Sequence, residues 1–278
     1  MLAVFIIIKA TSSPSTAQTA NGVASGRTPI NAPASITSAL SSIPMSVFNS
    51  VGVAGQAPPF TATTKQPKLV SGKLPRMVYL GAEFCPYCAM DRWAMASALY
   101  RFGTFTNLKE TSSANSDGDI PTLSFYGTTY SSPYLVFSGY EDQDRNSAAL
   151  ATVPKDVSNL YTTYDGTGTT PTKFDAAAGI PFIDIDNKFV SSGTPVAWQS
   201  TLLPALEGGG PGGPGVAQAL HDPTSSVGTA ISAKLLIAQA NYYSAAICTV
   251  DGGKPADVCT STGIKAALAT MTTLKPVG

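Results

Sequence analysis

A Cys-x-x-Cys motif between a strand and a helix constrains this chain more than any other feature. Cys85-Pro-Tyr-Cys88 follows residues 76–84, a short run that is apolar on both faces. Such a run predicts a strand buried in the middle of a sheet. Residues 89–100 are mostly good helix formers, and Gly103 follows them as a stop. The pattern therefore predicts a buried strand, the motif, and then a helix.

This placement is what thiol–disulfide chemistry requires. Two intervening residues let the two sulfurs approach to bonding distance. Cys85 would lie at the helix N-terminus, where unpaired N–H groups stabilise a thiolate, and Pro86 suits the first helical turn. We expect Cys85 to be the nucleophile and the more buried Cys88 to resolve the mixed disulfide. Arg92 could favour the thiolate through its charge, although a solvated helix face is an equal alternative.

Two other interpretations of the motif stay open. Cys85 and Cys88 could form half of a zinc site with Cys248 and Cys259, but the ten residues between the latter two exceed zinc-knuckle spacing. The motif could also be a purely structural disulfide or an inactive redox site. The sequence predicts no metal and no cofactor.

Composition excludes several function classes. The chain has 17 Lys+Arg against 17 Asp+Glu, and this zero net charge argues against a nucleic-acid binder, which needs a basic face. Its single histidine rules out a multi-histidine metal site. His221 is the one candidate for a Ser-His-Asp hydrolase, and a capping or surface role suits it better.

The second cysteine pair is predicted to be a structural disulfide. Cys248 ends a predicted helix, and Cys259 follows a glycine-containing turn. Closing this short loop would stabilise the fold by ~2–3 kcal/mol. Such a bond agrees with an oxidising compartment and an exported domain. The alternative is a relay pair that exchanges electrons with Cys85 and Cys88.

The N-terminal segment predicts export and tethering. Residues 1–8 are apolar, which is far short of the roughly 20 residues that span a bilayer. We interpret residues 1–9 as a fragment of a signal anchor, with an ordinary first strand as the alternative. Residues 10–45 are predicted to be a Ser/Thr/Ala/Pro-rich tether. The domain would then be membrane-anchored and lie outside the cytoplasm.

Local patterns predict the remaining elements. The helices are expected at 36–51 (broken near Pro44), 157–164, 197–206, 227–248 and 264–274. The strands are expected at 104–109, 123–126, 134–137, 180–185 and 188–190, with 123–126 and 134–137 forming a hairpin or strand pair. Residues 112–118, 166–172 and the glycine-rich 208–215 are predicted loops.

With this motif between a strand and a helix, the chain resembles the thioredoxin superfamily. It is most similar to an uncharacterised family of membrane-tethered, thioredoxin-like proteins of archaea and bacteria with a GAExCPYCAxxRW motif. The matching residues include 81–89, 92–93, 101–103, 121–122, 125–127, 130–131, 180–184, 187–188, 246–248 and 259. The resemblance implies an α/β thioredoxin-like domain over 46–278. It would carry an inserted β segment at about 111–150 and a helical extension at about 216–278.

The resemblance also implies particular site residues. Thioredoxins place a cis-proline at a strand start facing the motif, and Pro181 matches it. They carry a buried acid six positions before the first cysteine, where this chain has Tyr79. Glu83 is the nearest acid, and we expect it near the surface. Either Glu83 or a water would accept the proton, or the site is tuned differently.

The function predicted on this basis is thiol–disulfide exchange. The expected partners are protein thiols or disulfides, or a membrane redox partner. The alternative is a non-catalytic accessory or scaffold subunit of a membrane or cell-surface assembly that uses the fold as a binding module.

Overall fold

The computed structural model describes residues 29–165, 179–193, 205–206, 208, 210, 212–223 and 227–278. The predicted anchor, the predicted loop at 166–172 and nearly all of the predicted helix at 197–206 lie outside the described residues. The strands are β1 (Ile30–Asn31), β2 (Thr61–Ala62), β3 (Val70–Ser71), β4 (Leu74–Gly81), β5 (Thr104–Thr106), β6 (Lys109–Ser112), β7 (Pro121–Ser124), β8 (Thr129–Ser131), β9 (Val136–Glu141), β10 (Phe182–Ile185) and β11 (Phe189–Ser192). The helices are α1 (Ala34–Ser41), α2 (Met45–Val51), α3 (Pro86–Leu99), α4 (Lys155–Tyr164), α5 (Gly212–His221), α6 (Val227–Val250), α7 (Ala256–Cys259) and α8 (Thr262–Met271). A 3-10 turn covers Asn115–Asp117.

The central sheet is built around β4, and the chain is an α/β protein as predicted. β9 pairs with β4 in parallel, while β10 pairs with the other side of β4 in antiparallel register. β11 and β2 continue the sheet beyond β10, and β3 pairs with the start of β4. Val78 and Tyr79 face opposite sides of β4, and both are fully buried. The run of apolar residues on both faces therefore marks a central strand, as expected.

Helix α3 is enclosed by protein on all sides. Every residue from Cys88 to Leu99 is buried, which is possible because four of them are alanines that allow close packing. α6 packs along α3. The Tyr243 hydroxyl of α6 donates to Asp91 Oδ1 of α3 at 2.9 Å, and Gln239 lies beside the same oxygen. This packing fixes the orientation of the helix that begins at the motif.

A second, smaller sheet has the strand order β1-β6-β7, and it differs from the predicted insertion. The run 104–109 is two strands, because β5 pairs with β8 whereas β6 pairs with β1 and β7. The predicted pairing of 123–126 with 134–137 is wrong, since β7 pairs with β6 and β9 joins the central sheet. The insert predicted at 111–150 therefore includes a central strand. Short apolar runs specify a strand but carry no signal for its partner.

The boundary of the predicted tether is also wrong. Residues from Ile30 onward belong to the folded domain, because β1 pairs with β6 and α1 packs against α5. Ile36 and Leu40 are buried at helical spacing, but serines and alanines around them hide this stripe in the composition. α2 begins just after Pro44, so the predicted break is confirmed.

The glycine-rich segment is only partly a loop. α5 begins at Gly212 and continues through it to His221. Gly213 fits because a Cβ there would lie 2.8 Å from Ile36 Cδ1. Within the described ranges, no helix has both the length and the apolar character that crossing a membrane requires.

Candidate active site

The two cysteines of the motif lie at the N-terminus of α3, both as free thiols. β4 ends at Gly81, earlier than predicted, and a turn closed by Cys85 N donating to Ala82 O leads into the helix. Cys85 is the N-cap residue, and its Sγ accepts a hydrogen bond from the backbone N–H of Cys88 at 3.3 Å. Pro86 takes the first helical position. The helix end thus presents a donor to the sulfur predicted to attack.

Pro181 lies beside this sulfur. The Ile180–Pro181 peptide bond is cis, which confirms the prediction made for this residue. The Cys85 thiol donates to Ile180 O across 3.7 Å. The β10–β11 hairpin holds this corner, because Gly193 N donates to Pro181 O at 2.9 Å. Strand β10 therefore brings Pro181 and Cys85 together across a long separation in sequence.

Glu83 is buried, so the expectation that it lies near the surface is wrong. Its side chain is enclosed by the small sheet, and Thr111 Oγ1 donates to its Oε2 at 3.4 Å. Oε1 has no hydrogen-bond partner among the described residues. Burial raises the pKa of Glu83 to about 7, although a hydrogen bond from Ser124 acts to lower it. The wall formed by β6 and β7, which the sequence did not predict, causes this burial.

A buried ion pair lies under the motif. Arg92 and Glu141 are both fully buried, and the two side chains form two hydrogen bonds of 2.7 and 2.8 Å. Arg92 also donates to Ala82 O at 2.6 Å, and Phe125 N donates to Glu141 Oε1 at 3.3 Å. Arg92 is therefore not on a solvated helix face. The spacing of four residues places Arg92 on the same face of the helix as Cys88, which is a sequence signal for its proximity to the motif. No local pattern in the sequence indicates that Glu141 is its partner.

Tyr79 connects this ion pair to Cys88. Its hydroxyl donates to Glu141 Oε2 at 3.4 Å. A Cβ built on Gly81 would lie 2.2 Å from the Tyr79 hydroxyl oxygen and 3.0 Å from Cys88 Sγ, so both atoms occupy the space above this glycine. Glycine is required here because any side chain would displace one of the two groups.

Burial keeps both of these groups neutral. The pKa of Tyr79 is raised well above its usual value by burial, which outweighs the nearby Arg92 charge. The pKa of Cys88 is likewise raised well above its usual value, first by burial and then by its hydrogen bond to Cys85. Arg92 acts in the opposite direction and favours a Cys88 thiolate. Cys88 therefore needs help to lose its proton.

The second cysteine pair is bonded. Cys248 and Cys259 form the predicted disulfide, with a Cα–Cα distance of 5.6 Å, and it joins the end of α6 to α7. The two pairs form no shared zinc site, because these sulfurs are bonded to each other. Among the residues that the structure describes, no group of three or more His, Cys, Asp or Glu side chains could hold a metal ion. His221 Nε2 lies 3.3 Å from Ser42 Oγ at the surface.

These features define a class: an α/β domain with a free Cys-x-x-Cys at the start of a buried helix and a cis-proline beside it. The profile of a family described as "Domain of unknown function (DUF929)" matches residues 62–249. The match spans more than half of the chain, so the protein belongs to this family. Comparisons with curated proteins and with solved structures find no match.

Proposed function

We propose that this protein is a thiol–disulfide oxidoreductase that acts on protein thiols or disulfides through Cys85 and Cys88. One observation carries the proposal. Cys85 and Cys88 are free, and the Cys88 N–H at the helix N-terminus donates to Cys85 Sγ. This is the environment in which a thiolate is stabilised and can attack a disulfide.

The reaction proceeds in two exchanges. The Cys85 thiolate attacks a substrate disulfide, forms a mixed disulfide and releases one substrate thiolate. Cys88 then loses its proton and attacks Cys85 Sγ, which forms the Cys85–Cys88 bond and releases the second substrate thiolate. The substrate is reduced by two electrons, and the protein is oxidised by two. The reverse sequence oxidises a dithiol substrate.

The topology supports the thioredoxin-like character that the resemblance implies. The strand before the motif has a parallel neighbour, β9, on one side and the antiparallel hairpin β10–β11 on the other. The cis Pro181 directly precedes β10. In this arrangement Pro181 shapes the surface that a substrate peptide meets next to Cys85.

Glu83 supports the proposal as a buried carboxyl close to the motif. Its pKa of about 7 is matched to accepting and returning a proton near neutral pH. Its Oε1 is without a hydrogen-bond partner in the described structure, so it has capacity to accept one. Glu83, the acceptor considered from the sequence, is therefore one of two buried carboxyl groups near the motif that could take up a proton, and Glu141 is the other.

The disulfide supports a location outside the cytoplasm. Structural disulfides persist in oxidising compartments, and Cys248–Cys259 is of this kind. A membrane-anchored domain facing such a compartment would meet exported proteins or a membrane redox partner. We keep the accessory or scaffold role as the alternative function.

Reduction of insulin by the reduced domain in the presence of dithiothreitol tests the proposal. We expect turnover by the wild type and its complete loss in Cys85→Ser, because the attacking sulfur is removed. Cys248→Ser/Cys259→Ser is the matched control, which removes two sulfurs away from the site and should retain turnover. Equal rates with and without Cys85 would refute the redox function. Co-purification from native membranes at fixed stoichiometry would then support the scaffold role.

A further inference from the structure

The deprotonation of Cys88 poses a problem that the buried groups around it can solve. Cys88 is fully buried, and an isolated thiolate there would be costly. The two charged groups that act most strongly on Cys88, besides its partner thiol, are Arg92 and Glu141. These belong to α3 and β9, not to the segment that carries Glu83.

We propose that Tyr79 and Glu141 form the route by which Cys88 gives up its proton during resolution of the mixed disulfide. This inference rests on the proposed function. The proton of Cys88 passes to the Tyr79 oxygen, while the Tyr79 hydroxyl proton passes to Glu141 Oε2. The products are the Cys88 thiolate, an unchanged tyrosine and a protonated Glu141.

Geometry supports the first half of the route. The Tyr79 hydroxyl oxygen and Cys88 Sγ share the space above Gly81, at 2.2 and 3.0 Å from the position that a Cβ would take there. Tyr79 holds its position through an edge-to-face contact with Phe125, at a centroid distance of 5.2 Å. The hydroxyl thus donates to the Glu141 carboxylate and lies close to the Cys88 sulfur.

Electrostatics supports the second half. Before transfer, the Arg92 cation is balanced by the Glu141 carboxylate, at 2.7 Å. After transfer, Glu141 is neutral and the Cys88 thiolate balances the same cation. The summed charge of Arg92, Glu141 and Cys88 is the same before and after the transfer. The step therefore avoids the large free-energy cost of creating a new charge in a low-dielectric interior. Tyr79 stays neutral throughout, since burial raises its pKa well above the usual value.

Stopped-flow reaction of the reduced protein with dithionitrobenzoate separates the two steps. The first release of nitrothiobenzoate reports attack by Cys85 and depends on reagent concentration. The second release reports attack by Cys88 on the mixed disulfide and does not. The reagent reports the chemistry of the site whatever the natural substrate is.

Tyr79→Phe is the decisive variant because it removes one oxygen and keeps the ring. We expect an unchanged first phase and a second phase slowed about 100-fold at neutral pH, the lower end of what a positioned proton acceptor contributes. The slowed phase should recover as pH rises, because hydroxide then takes the proton. Tyr242→Phe is the matched control, since its hydroxyl is buried elsewhere and donates to Gln56 O.

Carboxylate variants distinguish this route from its rival. Glu141→Asp keeps the charge opposite Arg92 and should retain much of the second phase, whereas Glu141→Gln should slow it; circular dichroism and urea midpoints establish that each variant is folded. An unchanged second phase in Tyr79→Phe overturns the inference. A second phase slowed by Glu83→Gln but not by Tyr79→Phe also overturns it and assigns the proton to Glu83. If the wild type shows no second phase, Cys88 does not resolve, and the proposed function itself fails.

Discussion

The two cysteine pairs of this protein differ in what surrounds them rather than in how deeply they lie. All four cysteines are buried, with exposed fractions of 8 % or less. Cys248 and Cys259 are bonded and join two helices at the end of α6. Cys85 and Cys88 are free and lie above Tyr79, Arg92 and Glu141. Burial alone therefore does not separate the free pair from the bonded pair, whereas their ionisable neighbours do.

The largest effect should come from removing the positive charge of Arg92 beneath the free cysteine pair. In Arg92→Met, Glu141 is left buried without its cation, so we expect a loss of ~3–5 kcal/mol in the free energy of unfolding. Urea denaturation followed by circular dichroism measures it. Asp156→Asn is the control, because its ion pair with Arg76 is exposed and should contribute only ~0–1 kcal/mol. Similar losses in both variants would contradict the importance of the buried pair.

Removing the bonded pair should have a smaller effect. We expect Cys248→Ser/Cys259→Ser to lose ~2–3 kcal/mol of unfolding free energy, because the loop between α6 and α7 is no longer closed in the unfolded chain. The same urea experiment measures this value. The dithionitrobenzoate phases of Cys85 and Cys88 should be unchanged. A folded double variant with altered phases would instead favour the relay role for the second pair.

The smallest effect concerns pH. The pKa of Glu83 is raised from its model-compound value of 4.5 to about 7, so the folded state retains a proton that the unfolded state releases. Its contribution to stability is therefore present at pH 4 and is lost as pH rises from 4.5 to 7. Glu83→Gln removes this loss, and we expect it to gain ~1–2 kcal/mol relative to wild type between pH 5 and pH 8.

The urea midpoints of the wild type and of Glu83→Gln, each measured at pH 5 and at pH 8, give this gain. Asp117→Asn, which changes an exposed carboxyl in the 3-10 turn, is the control and should show no such difference. A Glu83→Gln variant whose midpoint follows the wild type at both pH values would show that Glu83 is ionised at no cost in the folded protein.

Local signals predicted the reactive pair and its supporting proline, but not the groups beneath them. The strand, the motif, α3 and Pro181 follow from short-range patterns and from the resemblance, and the structure places Cys85 beside Pro181 as expected. Glu141 could not be predicted because its role depends on β9 pairing in parallel with β4, a contact distant in sequence. The burial of Glu83 likewise depends on the pairing of β6 with β7, whereas the sequence paired 123–126 with 134–137 and assigned 104–109 no partner.

The small sheet has a consequence for anyone who wishes to shorten this domain. The sheet lies outside the central sheet, but it contacts the site directly. Trp93 Nε1 donates to Pro121 O at 2.9 Å, and Phe125 N, directly after β7, donates to Glu141 Oε1. Thr111 of β6 contacts Glu83. Excising residues 104–131 to obtain a minimal scaffold would strip partners from both carboxyl groups at once. Removal of this segment is therefore unsafe. Inserted loops are better directed to the turn that follows the end of α6, where Gly252 and Gly253 meet no other atom within 4 Å of an added Cβ and keep the positive φ angles that glycine allows.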